Sequence, residues 1–370
     1  MAVTLFQIAE VEPIAVELPL AHSIGMSGET ISAARNLLVR IADSEGRTGW
    51  GEAASAPLMT GESLSDMLAA VQSVSGRLSG RSIHSINSVG KVISDTVPTS
   101  PGARAALEMA VLDLAGQHVG RPLHDLLGGR IRESAPALAM LATGSVDAEE
   151  AQALRLLERG YRAFKIKVGA DDVGHDLARC RAVRRAVGTG CRVSADANGG
   201  YTESEAIAFA TEAASIGLDF LEQPVPACNL DAMRACAQAS TVPIAVDEGF
   251  MSAADIRRHH RLGAASGGSL KPLKFGIQNL MSCGQLMNRR GMSVNLAGKI
   301  AESGIASAAI AHLAVALPQL DWDASMTNQY LAIDVVLHPP MVTNGRIAPR
   351  DSPGLGIVVD QDRLTSVRLS

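Results

Sequence analysis

Lys165 and Lys167, one residue apart, close a short apolar run, and acids or lysines mark the runs that follow. Asp196 and Asn198 end the next run, Glu222 the one after, and Asp247 with Glu248 the one after that. Lys271 sits in a further run with Lys274 just beyond, and Lys299 and Glu302 follow the last of the series. Lysine and arginine together number 33, yet only six are lysines, and five of those six lie between residues 165 and 299. Arginine keeps its proton, whereas a lysine can be tuned by its surroundings to give and take one. Most lysines in proteins are surface charges. These are flanked by apolar residues, which points to proton transfer in a partly buried site.

If the runs are β-strands, side chains alternate between faces, so Lys165 and Lys167 share a face and Ile166 takes the other. Asp196, Glu222 and Asp247 then stand on three consecutive strands, neighbours about 4.8 Å apart. Any one of them alone could be a helix N-cap or a surface charge. Three so close repel one another unless a cation lies among them, and oxygen ligands with open positions suit Mg²⁺. Glu248 is expected to face away from this set if its strand continues.

A repeating unit is needed to position these groups. Past Gly128 and Gly129, short apolar segments (137–141, 163–168, 192–197, 219–222, 244–247, 269–273 and 293–296) alternate with amphipathic helical stretches. The interval of roughly 25–30 residues is that of a βα unit. Seven or eight such units predict an α/β barrel whose catalytic groups stand at the C-terminal ends of its strands. An open doubly wound sheet is the alternative, but no glycine-rich phosphate turn is present. Residues 1–130 have another texture: 6–20, 35–42 and 47–54 read as strands, and 63–78 and 86–127 as helices. They form an α+β module ahead of a barrel in 131–330. Residues 331–370, punctuated by Pro and Gly, read as a strand-like segment packing back on that module.

Hydrophobic residues make up 47% and charged residues 19% of the 370, ample for a full core and too apolar for disorder. A net charge of −5 gives no reason to expect nucleic acid or an anionic membrane. Residues 1–10 lack a basic signal region, and no apolar window approaches the length of a membrane span. The five cysteines are odd in number and lack metal-ligand spacing, as in a reducing compartment. The expectation is a cytoplasmic, homo-oligomeric protein.

Lys-x-Lys, Asp-x-Asn, Glu-Gln-Pro and Asp-Glu in this order resemble the barrel of the enolase superfamily, specifically its muconate lactonizing enzyme subgroup. Outside the barrel, Leu112 to Gly116 (Leu-Asp-Leu-Ala-Gly), Pro122 to Gly129 and Gly49-Trp50-Gly51-Glu52-Ala53 resemble that family's capping domain. The resemblance implies an α+β capping domain over a TIM-like (β/α)₇β barrel, with Asp196, Glu222 and Asp247 binding Mg²⁺. It implies Lys167 and Lys271 as general base and general acid on opposite faces of the substrate's α-carbon. Lys165 would sit beside Lys167, favouring its neutral form and touching the substrate carboxylate. The chemistry agrees, since an enolate next to a carboxylate needs strong charge stabilisation by metal and ammonium groups. The branches with a histidine base on the seventh strand fit poorly, because Ser293 to Lys299 contains none and His312 reads as a packed residue.

Departures from the pattern mark the specificity questions. Ile277 follows Gly276 where relatives carry a second glycine. Lys299 is unexpected there and either approaches the active site or pairs with Glu302. Asp321-Trp322-Asp323 falls where the eighth strand should end and resembles the Asp-x-Asp that holds a substrate ammonium in dipeptide epimerases, or else is an exposed acidic loop. Residues 22–30 and 56–63 would close the site from the cap, with His22 and Met59 as contacts. The substrate is expected to be a small carboxylate contacting Asn198 and Glu302 as well. Racemisation or epimerisation of an amino-acid derivative leads the expected reactions, followed by muconate-type cycloisomerisation and then dehydration; a barrel that only binds a carboxylate is the non-enzyme alternative.

Overall fold

The computed structural model describes residues 4–26 and 29–369. Two long antiparallel strands, Phe6–Met26 and Glu29–Asp43, pair with Thr48–Ala54 and the short Ser82–Ile83 to make a four-stranded sheet. Against it packs the helix Pro101–Val119, buried almost all round. The glycines of Gly49-Trp50-Gly51 let strand and helix touch: a Cβ on Gly51 would lie 1.9 Å from Ala106 O, and one on Gly49 2.2 Å from Ala110 O. Asp113 fastens the same contact by accepting the Trp50 amide at 2.9 Å.

Eight parallel strands follow: Leu138–Leu141, Ala163–Lys167, Arg192–Asp196, Leu221–Glu222, Ile244–Val246, Gly267–Leu270, Ser293–Ala297 and Ala324–Ser325. They hydrogen-bond in chain order, and a parallel bridge between Ala137 and Ala324 brings the last back to the first. Six of the connecting helices begin on side-chain caps, Ser145, Asp172, Thr202, Asn229, Ser252 and Ser303, which end their loops at a fixed point; the helix Ile277–Asn288 starts instead at Gly276, without one. Beneath the site the barrel is filled rather than hollow. Phe220 stacks on Trp322 at 4.3 Å between ring centroids, and Gly267 leaves the room Trp322 takes.

The structure corrects several expectations. The sixth strand stops at Leu270, because Pro272 opens a one-turn helix for which Lys271 is the N-cap. Asp321-Trp322-Asp323 precedes the eighth strand instead of ending it. Residues 331–369 are mostly irregular, with one short strand, Arg346–Ile347, and a helix, Gln361–Val367. That segment runs back along the cap: Pro19 O accepts the Ala332 amide and Ala15 O the Leu369 amide.

Candidate active site

A cavity of about 610 Å³ opens between the C-terminal ends of the barrel strands and the cap. Its floor is a buried network of acids and lysines. Lys167 Nζ donates to Asp196 Oδ2 at 2.6 Å and to Asn198 Oδ1 at 2.8 Å. Lys165, on the same face of the second strand, pairs with Glu222, whose Oε1 lies 2.5 Å from Ser269 Oγ. Lys271 Nζ donates to Asp247 Oδ2 at 2.6 Å, and Lys274 Nζ to Asp247 Oδ1 at 2.8 Å. Burial raises the Glu222 carboxyl, Lys165 opposes this, and the charges of Asp196 and Asp247 add to it. Asp247 is equally buried, but Lys271 and Lys274 outweigh that and hold it far below the carboxylate range. Burial disfavours the Lys271 ammonium, yet Asp247 and Glu248 reverse the balance and raise its pKa.

Among the described residues no three His, Cys, Asp or Glu are gathered as a ready metal shell, because each of these carboxylates is turned onto a lysine. The donor set nevertheless suits a hard dication: three buried carboxylates on adjacent strands, close enough to raise one another's proton affinity at Glu222. A fourth, Glu248, brings a buried Oε2 without a partner. Contrary to expectation Glu248 faces the cavity, since its strand ends at Val246; Asn198 Nδ2 donates to its other oxygen at 2.9 Å, and burial with Asp247 nearby pushes its pKa up to about 7.

Of the residues expected to touch substrate, Asn198, Met59 and Lys299 line the cavity. Lys299 is half-buried, and burial together with Lys271 and Lys167 lowers its pKa to about 8. Glu302 is buried beside Gly298 behind the wall, where burial and the charge of Glu52 push its carboxyl up to about 8. His22 is exposed and outside the wall. Residues 22–30 form strand rather than loop up to Met26 and from Glu29, and residues 27 and 28 lie outside the described residues.

Asp321 and Asp323 do not reach the cavity. Asp323 pairs with Arg192 at the start of the third strand, the end opposite Asp196, and Asp321 accepts the Val294 amide at 3.0 Å near the start of the seventh. The positions they were expected to fill belong to Ser325 and Thr327. Sequence reasoning also passed over Asn295, Ser269 and Gln223. Asn295 Oδ1 lies 3.4 Å from Lys165 Nζ and 2.8 Å from Ser269 Oγ, and Gln223 Oε1 accepts the Asp247 amide at 3.0 Å. A polar residue in the middle of an apolar strand was the available signal for the first two.

Comparison with known proteins agrees with this architecture. Residues 8–128 match the mandelate racemase/muconate lactonizing enzyme N-terminal domain, and residues 148–363 the enolase C-terminal domain-like family. A hydrophobic dipeptide epimerase from Citrifermentans bemidjiense is 31% identical, over 95% of this chain and 98% of its own. An N-succinyl-L-Arg/Lys racemase from Bacillus cereus is 27% identical over 97% of each chain. The crystal structure of a muconate lactonizing enzyme from Pseudomonas fluorescens complexed with muconolactone superposes with a TM-score of 0.93 at 27% identity, covering 98% of this chain and 100% of that one. Matched in both its cap and its barrel, the chain belongs to the mandelate racemase/muconate lactonizing enzyme family of the enolase superfamily.

Proposed function

We propose that this isomerase racemises or epimerises an N-acylated amino acid by moving the proton α to its carboxylate, with Mg²⁺ held by Asp196, Glu222 and Asp247. The observation that carries this reading is the placement of Lys167 and Lys271. Lys167 ends the second strand of an eight-stranded barrel and Lys271 directly follows the sixth, four strands apart and so across the mouth from each other. One neutral lysine takes the α-proton from one face and the other ammonium returns a proton to the opposite face, which inverts the centre. Lys165, buried on the Lys167 side, supplies fixed positive charge to the enolate oxygens. When bound, Mg²⁺ adds Lewis-acid stabilisation of the same charge, in keeping with a family that is generally magnesium-dependent.

The nitrogen is assigned as an amide because, among the described residues, the cavity wall offers a free ammonium no carboxylate beyond Asp196, Glu222, Asp247 and Glu248. Ser325 and Thr327 offer only hydroxyls where a dipeptide's ammonium would need acids. An N-succinyl amino-acid racemase stands among the relatives. A muconate-type cycloisomerase is the second reading, favoured by the muconate lactonizing enzyme fold match.

Proton NMR in D₂O with Mg²⁺ tests the choice. N-acyl amino acids should exchange their α-proton and lose optical purity, and a chelator should stop both reversibly. Lys167→Ala and Lys271→Ala should each abolish racemisation while still exchanging one enantiomer, a different one for each variant. Lactone formation from cis,cis-muconate without exchange of any N-acyl amino acid would replace this reading with the second.

A further inference from the structure

We propose that Lys299, with Ser325 beside it, anchors a second anionic group on the substrate, so that the preferred substrates are dianions gripped at both ends. The reading of the preceding section enters only in placing the first carboxylate at the Mg²⁺ end.

Of the six lysines, five have a carboxylate partner within 4.0 Å. Lys299 has none among the described residues, although it stands in the cavity wall. The other cation of the wall outside the floor network, Arg35, is already paired with Glu17. Lys299 follows the seventh strand, and Asp196 ends the third, again four strands apart. The unpaired ammonium therefore stands across the mouth from Asp196, with Asp247 only two strands away on its own side. Ser325 is set next to it by register, since it pairs with Ala297 two residues before Lys299, and its hydroxyl makes no hydrogen bond among the described residues.

The nearest acid in sequence, Glu302, is buried behind the wall and favours its neutral form near pH 7. The segment that carries Lys299 is held firmly. Lys299 O accepts Thr327 Oγ1 at 2.6 Å, and Ala301, at φ 60°, gives its carbonyl to Asn36 Nδ2 at 3.0 Å. Leu138, Met140, Ile300 and Tyr330 make the surroundings largely apolar, where an unpaired charge attracts an anion more strongly than in water.

The test compares ligands that differ by one carboxylate: N-succinyl- against N-butanoyl-L-phenylalanine, and cis,cis-muconate against its monomethyl ester. Binding to the Mg²⁺-loaded protein is read by calorimetry, and α-proton exchange by NMR. In at least one pair the wild type should favour the dianion by about ten- to a hundredfold. Lys299→Met should bring that ratio toward one, and Lys299→Arg should retain most of it. No preference in either pair, or a preference that survives Lys299→Met, overturns the anchor. A Lys299-dependent preference in binding with no exchange of either amino-acid derivative supports the anchor and counts against the racemase reading.

Discussion

The buried Asp323 pairs with Arg192, itself 32% exposed, at the end of the barrel remote from the cavity. Asp323 also sits at φ 64°, a left-handed conformation that aspartate tolerates better than most residues. Its role is therefore to seat the eighth strand rather than to select substrate. Asp323→Asn keeps an acceptor for the part-exposed Arg192 and should lower stability by no more than about 1 kcal/mol, and leave kcat/KM of every substrate unchanged. Thermal denaturation and steady-state kinetics on the same variant check both halves; a selective loss against cationic substrates would return the residue to the site. Lys274 illustrates a related point. In sequence it stands only as a lysine just beyond Lys271 with no role assigned, yet it is fully buried and donates to Asp247 O at 2.6 Å as well as to the carboxylate. It fixes a proposed metal ligand from behind.

At the scale of elements, the carboxylate of Glu52 ties the cap to the barrel. Glu52, on the third cap strand, accepts the Ser303 amide at 2.8 Å, its hydroxyl at 2.7 Å and the Ala306 amide at 3.1 Å, all at the start of the helix Gly304–Ala316. Asn36 Nδ2 donates to it at 2.7 Å from the neighbouring strand. Glu52→Ala leaves these buried donors unsatisfied and should cost about 1–3 kcal/mol. Hydrogen exchange should show the Ser303 and Ala306 amides losing protection first; unchanged protection would contradict the clamp. The Gly-Trp-Gly-Glu motif was legible as a family mark, but its purpose needed the fold. Its glycines serve the close strand–helix contact, and its acid caps a helix some 250 residues later in the chain. The floor of the site was legible because strands alternate faces and the second to sixth each bring an acid or lysine to their C-terminal end. The eighth strand was misplaced by one short segment, because it has only two residues of regular pairing and Trp322 looks like strand from either side. That Lys299 has no carboxylate partner among the described residues could not be read at all, since it depends on where Glu302 goes after a turn with a left-handed alanine.

Over the whole molecule, the cap and the barrel share a buried histidine pair. His124 and His312 stack at 5.1 Å between centroids, with their Nδ1 atoms 2.9 Å apart. Burial, with His124 adding, pushes His312 down to about 3, and burial also lowers His124. Both folded values lie below the unfolded one near 6.5, so their contribution is complete above about pH 6.5 and is lost as pH falls toward 3. For His312 alone the slope approaches about 1.4 kcal/mol per pH unit. His312→Gln should be less stable than wild type at pH 8 and lose stability less steeply between pH 6.5 and 4, as melting temperatures across that range will show; parallel curves would exclude the pair as the cause. The cap sheet itself holds one more consequence. The strand Phe6–Met26 meets Ser82–Ile83 only at Phe6 and Gln7, and farther along, Ala15, Val16, Pro19 and Leu20 meet residues 331, 332, 368 and 369. On a ribosome this strand emerges some 300 residues before its cover, so the nascent chain carries an open β-edge for as long as those residues take to be made. Pro13 and Pro19, which cannot donate to a ladder, and the charges of Glu10, Glu12 and Glu17 lie along that strand, the residue types that disfavour the addition of a further strand to an open edge.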